Sequence, residues 1–250
     1  MKTTVRKLFD YKIHATDGEI GRIEDVLFDE EAWTVRYFVV DTGIWLFGRK
    51  VLIAPIAAAP PDEAERLLPV SLTKEQVKDS PDIAADPPIT RAHEIAYHDY
   101  FRWPYYWGGA MSTQFEGVAP EAVEVGDTEV TPVNGDILPP DQKDVNLRSA
   151  REVIGYDTHD GSEQRVGEVE DFILDAETWA LPYLVLKLEA SEEKRILLPA
   201  SLVRRVGPPD KIVEVSAPHS RLLEAPAFER NIGADAAYFD AISSYYGLAA

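Results

Sequence analysis

The sequence predicts a mainly β protein with short helices, arranged as two small β-barrels in tandem, each followed by one or two short α-helices. Three observations predict it. Ile20 to Val40 (IGRIEDVLFDEEAWTVRYFVV) lies without a gap over Val166 to Leu186 (VGEVEDFILDAETWALPYLVL), 146 residues on, with 8 of 21 positions identical. Most of the other positions exchange one apolar residue for another, which is how two copies of one fold unit differ. Short β-prone runs broken by Asp17-Gly18 and Asp160-Gly161 point to small barrels rather than layered α/β domains. Helix signals appear only after the last strand of each copy.

The elements follow in chain order. Lys12 to His14 and Gly21 to Phe28 read as strands. Asp29 to Ala32, and Asp175 to Thr178 in the second copy, interrupt the apolar pattern with acidic residues and read as hairpin turns. Trp33 to Asp41 alternates. Trp33, Val35, Tyr37 and Val39 form one face, matched by Trp179, Leu181, Tyr183 and Val185, and Thr34, Arg36, Phe38 and Val40 form the other. Pro182 lacks an N–H donor and predicts an edge or bulge there. Lys50 to Ala54 and Leu67 to Val70 complete the strands of the first copy.

Thr73-Lys74-Glu75-Gln76 has capping-box spacing, so a helix is expected to start there and stop before Pro81. A second helix is expected from Arg91 to Phe101, with a counterpart from Ala234 to Tyr246. Residues 112–144 are rich in Pro, Gly, Asp and Glu and read as an irregular connection, with 123–125 and 129–131 as candidate edge strands. The expected division is a first unit over 1–110, an acidic linker over 111–145 and a second unit over 146–250.

Composition narrows the function classes. The formal charge of −19 is densest per residue in the middle: residues 111–145 hold 1 basic and 8 acidic residues, against 13 and 18 before and 11 and 18 after. Such a surface repels phosphate backbones and anionic lipid, so nucleic acid is not an expected partner. The longest apolar stretch, Val51 to Ala59, is far short of a bilayer span and contains Pro55, and no signal peptide is read at the start. Membrane insertion is therefore not expected. With no cysteine there is no disulfide, thiolate metal site or cysteine nucleophile, and a cytoplasmic location is expected.

Asp17-Gly18, then Ile20-Gly21-x-Ile23-x-Asp25, then Trp33-x-Val35-Arg36-Tyr37-x-Val39-Val40-Asp41-Thr42-Gly43, then Gly48-Arg49-Lys50-Val51-Leu52-Ile53-x-Pro55 resembles the PRC-barrel family. That family is named for the cytoplasmic domain of the photosynthetic reaction-centre H subunit and occurs also in a ribosome maturation factor. The second copy fits less closely, since Glu192-Glu193-Lys194-Arg195 stands where the first has Gly-Arg-Lys. The resemblance implies a small bent β-barrel acting in assembly or interaction, and it implies no enzyme. The H subunit carries a membrane helix ahead of its barrel that this sequence lacks.

The candidate contact residues are aromatic. Gly43-Ile44-Trp45-Leu46-Phe47-Gly48 sets large apolar residues in a tip that the second copy replaces with Leu188-Glu189-Ala190-Ser191-Glu192-Glu193. A feature present in one copy only points to a contact outside the barrel; the alternative is that Trp45 and Phe47 fold back on the chain. Tyr97, Tyr100, Phe101, Trp103, Tyr105, Tyr106 and Trp107 form the densest aromatic run, suited to a protein interface or to closing the first barrel, and expected to be largely buried in either case.

No catalytic, cofactor or metal site is expected. His93 and His98 are five apart, unlike the i, i+4 pair of a zinc helix. Asp157, Asp160 and Glu163 lack calcium-loop spacing. The repeated Glu24/Asp25 and Glu170/Asp171 are expected to cap turns. The expected function is a non-enzymatic adaptor for a protein partner, through Trp45, Leu46, Phe47, Tyr100, Trp103, Tyr105, Tyr106 and Trp107. Its two units are expected to pack as an intramolecular pseudo-dimer, with homo-oligomers also open. The alternatives are a small-ligand or ion-binding barrel, or a peripheral component of a reaction-centre-like membrane complex.

Overall fold

Trp33 and Trp179, aligned by the repeat, both take left-handed backbone, φ 48° and 59°, in the computed structural model. The structure describes residues 2–81, 89–107, 147–191, 193–229 and 236–248. They fall into two compact units: residues 1–85 with 146–250, and residues 86–145. The expected linker over 111–145 and its candidate strands lie outside the described residues.

The larger unit holds two sheets. Its first half contributes β1 (Lys2–Thr4), α1 (Val5–Leu8), β2 (Lys12–Ala15), β3 (Gly18–Asp29), β4 (Thr34–Asp41), β5 (Lys50–Ile53), β6 (Leu67–Pro69) and α2 (Lys74–Lys78). In the smaller unit, α3 spans Arg91–Phe101. The second half contributes β7 (Leu147–Ser149), α4 (Ala150–Val153), β8 (Asp157–His159), β9 (Arg165–Asp175), β10 (Tyr183–Leu188), β11 (Arg195–Pro199), β12 (Val203–Gly207), β13 (Ile212–Val215), α5 (His219–Glu224) and α6 (Ala236–Tyr246). The architecture is mainly β with short helices. No helix among the described residues is long and apolar enough to cross a membrane.

The strand orders are β5-β4-β3-β2-β6 and β11-β10-β9-β8-β13-β12. In both, a hairpin strand pairs in parallel with a distant one: β2 with β6, and β8 with β13. Gly21 and Gly167, identical in the repeat, sit where a Cβ would lie 2.2 Å from Asp41 O and 2.0 Å from Lys187 O. Only glycine lets β3 and β9 pass this close to the neighbouring strand.

Each half sends its leading strand to the other. β1 pairs antiparallel with β9, Thr3 opposite Leu174, and β7 pairs antiparallel with β3, Arg148 opposite Phe28. The two tryptophan turns also meet. Val35 N–H donates to Trp179 O at 2.8 Å and Leu181 N–H to Trp33 O at 2.7 Å. Val5 and Leu8 on one arm, and Ala150 and Val153 on the other, are buried.

The predicted alternation of β4 is corrected by this packing. Trp33 precedes the strand, Val39 is half-buried, and Phe38 and Val40, placed on the outer face by sequence, are buried. The outer face is covered by the second half, with Trp179 edge-on to Phe38 at 5.2 Å. β10 is also buried on both faces, with Phe239 of α6 5.6 Å from Tyr183, and starts just after Pro182. Helix α2 has the reciprocal capping box of Thr73 and Gln76. Helix α3 matches its predicted bounds, and α6 is described over Ala236–Tyr246, the predicted residues 234 and 235 lying outside the described residues.

Candidate functional site

The seam between the halves is held by two matching clasps. On one side Asp171 Oδ1 accepts the Arg6 N–H at 3.0 Å, while Arg6 Nε donates to Glu170 O at 2.6 Å. On the other, Asp25 Oδ1 accepts the Arg151 N–H at 3.0 Å, and Arg151 Nε donates to Glu24 O at 2.6 Å. Ser149 Oγ donates to Asp25 Oδ2 at 2.5 Å. Burial pushes both aspartates above the usual carboxylate range, against the hydrogen bonds they accept. The expected turn-capping role is therefore corrected: these carboxylates receive the start of the other half's short helix. The neighbouring glutamates take cations of their own half, Glu24 with Lys50 at 3.0 Å and Glu170 with Arg195 at 2.9 Å.

The tip of the first half forms a 3-10 turn over Gly43–Leu46. Thr42 Oγ1 donates to Arg49 O at 2.7 Å, and Gly48 N–H donates to Gly43 O at 2.6 Å, closing the loop. Arg49 binds it to the segment after α2 through the carbonyls of Lys78, Ser80 and Pro81. The four apolar residues then divide. Trp45 and Leu46 are half-buried, with the Lys74 ammonium 4.8 Å over the Trp45 ring. Ile44 is 96% exposed and Phe47 100%, the latter with φ 56°. The fold-back alternative thus holds for Trp45 and fails for Phe47. Ile44, named in the tip but not among the candidate contact residues, is the second outward group.

In the smaller unit, α3 carries Glu94, Tyr97 and His98 on its buried side, and the chain after it turns back over them. Tyr106 Oη donates to Glu94 Oε1 at 2.5 Å and Arg91 lies 2.6 Å from Glu94 Oε2. The Arg91 guanidinium stacks 4.1 Å from the Trp107 ring centre. The His98 ring is packed by Trp103, Tyr105, Tyr106 and Trp107, all within 6.1 Å between ring centres. Desolvation lowers its pKa to about 4. Tyr97 is buried, but Tyr100 and Tyr105 are exposed and Phe101, Trp103, Tyr106 and Trp107 half-buried, so the run is less enclosed than its composition suggests. The hydroxyl of Tyr105 donates to Asp99.

A cleft missed by sequence reasoning lies in the second half. It measures about 580 Å³ and is lined by Asp160, Ser162, Gln164 and His219 among others. Asp160 Oδ1 accepts the N–H groups of Ser162 and Gln164, and its Oδ2 is 3.5 Å from His219 Nδ1. The equivalent place in the first half explains the arrangement, since Asp17 accepts the Lys74 N–H at the start of α2. The Asp-Gly turn was legible; its link to a helix start some sixty residues away was not.

These features define a class: a mainly β module of two small sheets whose halves exchange leading strands, with an apolar tip on one half. Residues 4–70 match the family model of the PRC-barrel domain. A Deinococcus radiodurans protein described as uncharacterized is 38% identical over 68 residues, which is 27% of this chain and 24% of the relative. The similarity thus spans about a quarter of that relative's length.

Proposed function

We propose that this chain is a non-enzymatic adaptor, built from two PRC-barrel units paired as a pseudo-dimer about an approximate twofold, that binds another protein through its apolar tip. The observation that carries this reading is the full exposure of Phe47 beside Ile44. A phenylalanine held outward with left-handed backbone runs against both hydration and conformational preference, and features of that kind cluster at binding sites. Burying two such side chains supplies roughly 3–5 kcal/mol, enough for an anchor with a polar surround. The matching tip of the second half presents Glu189, Ser191 and Glu193 to solvent and fits no such role.

The charge of −19 supports a protein partner over nucleic acid, and the lack of cysteine fits a reducing, cytoplasmic compartment. A photo-crosslinking amino acid at position 47, compared in cells with one at position 191, tests the reading. A discrete adduct at 47 and none at 191 supports it; equal labelling at both sites contradicts it. A second reading, small-ligand binding, is favoured only by the cleft at Asp160 and His219. Ligand-induced shifts of the His219 NMR signal would support that alternative.

A further inference from the structure

The two exchanged arms use the same register but not the same chemistry. Thr4 and Ser149 are equivalent, as are Arg6 and Arg151, and all four serve the clasps common to both sides. One position differs in kind. Arg148 of the second arm makes a two-pronged contact with Glu30 of the first half, Nε to Oε2 at 2.8 Å and the second nitrogen to Oε1 at 2.7 Å. The matching position of the first arm is Thr3, which is buried, and the residue matching Glu30 is Ala176, also buried.

Pairing of like with like breaks this match both ways. A first half bound to its own kind sets Glu30 beside a threonine in a half-buried place with no guanidinium. A second half bound to its own kind sets Arg148 against the buried alanine position with no such carboxylate.

Resting on the pseudo-dimer reading above, we propose that the Arg148–Glu30 pair is the specificity determinant of that pairing: it makes the first half select the second half and reject a second copy of itself. Attraction in the right pair and an uncompensated charge in each wrong one is how an interface discriminates between near-identical partners. The seam between such similar halves would otherwise accept either.

The full chain with a protease site inserted between Gly126 and Asp127 tests this. After cleavage, unfolding in guanidinium and refolding, native mass spectrometry counts the paired species. Mixed pairs are expected to exceed both like pairs well beyond the statistical ratio. Glu30→Ala or Arg148→Ala is expected to erode that preference about tenfold or more, as for a half-buried bidentate pair. The reversed double variant Glu30→Arg with Arg148→Glu is expected to restore it, which a merely structural loss would not allow. Paired halves in statistical proportions, or variants that leave the proportions unchanged, overturn the proposal while leaving the pairing intact. Unpaired halves overturn the pairing as well.

Discussion

Ser149 donates its hydroxyl to Asp25 Oδ2 at 2.5 Å although 124 residues separate them. The bond crosses the seam between the two halves, and the same carboxylate accepts the main-chain N–H of Arg151 through its other oxygen. Asp171 accepts the Arg6 N–H in the matching way. Both arms are thus anchored by carboxylates held largely away from water.

Removing the carboxylate strands the N–H groups it serves. Asp25→Ala and Asp171→Ala are expected to lower unfolding free energy by about 2–4 kcal/mol each, read from denaturant melts. Asp25→Asn retains an acceptor and is expected to cost about half as much. A double-mutant cycle of Asp25→Ala with Ser149→Ala is expected to show coupling near 1 kcal/mol.

The same aspartates have a defined pH signature. Their folded pKa values are raised above that of the unfolded chain by burial, so the native state binds these protons more tightly. Their contribution is fully present below the unfolded value near 3.8 and is lost as pH rises through the raised folded value. Asp25→Asn with Asp171→Asn is expected to remove that segment of the stability–pH curve. A wild-type curve that loses stability on these two groups' protonation would contradict the burial described.

His98 has the opposite sign. Desolvation lowers its pKa to about 4, below the value near 6.5 of a solvated histidine. Its contribution is present above about 6.5 and lost progressively as pH falls to about 4, up to roughly 3 kcal/mol. NMR titration is expected to give His98 an apparent pKa far below that of an exposed histidine. The signals of Trp103 and Trp107 are expected to shift with it.

Glycine substitutions separate close approach from ordinary loops. Gly21→Ala and Gly167→Ala drive a Cβ into a neighbouring carbonyl oxygen and are expected to cost about 3 kcal/mol or more, on the order of other buried overpacking changes. Gly161→Ala, whose nearest contact is an Arg204 side-chain nitrogen at 3.6 Å, is expected to change stability by less than about 1 kcal/mol. Thermal melts of the three variants check this.

The tip should separate binding from folding. Phe47→Ser and Ile44→Ser are expected to leave stability within about 0.5 kcal/mol, since neither side chain is packed. With the crosslinking residue at position 47, Ile44→Ser is expected to abolish the adduct. Trp45→Ala is expected to cost about 1 kcal/mol through lost packing under Lys74.

Local patterns were legible in the sequence where local forces decide. The Thr73 capping box, the bounds of α3 and the acidic hairpin turns depend on neighbours within a few residues, and the structure places them as read. The seam was not legible, because the partners of Arg6 and Asp25 lie more than a hundred residues away and leave no periodic trace. Period-2 alternation assigned Phe38 outward because one strand's pattern cannot report that a second sheet covers its other face. The recurrence of Arg6 as Arg151 is the available signal in the sequence, while the recurring Asp25 and Asp171 read as turn caps. For the tip, the contrast between copies identified the segment, but only the backbone path shows which side chains turn outward.

The most direct test of the exchanged arms uses the absence of cysteine from the sequence. Thr4 lies directly opposite Ile173 on the other half, and directly opposed antiparallel residues are within reach of a disulfide. The double variant Thr4→Cys with Ile173→Cys is expected to form the bond under mild oxidation, while Thr4→Cys with Leu27→Cys, the place the arm would take on its own half, is expected to stay reduced. The reverse outcome, a disulfide between positions 4 and 27 and none between 4 and 173, would show that the arms are not exchanged.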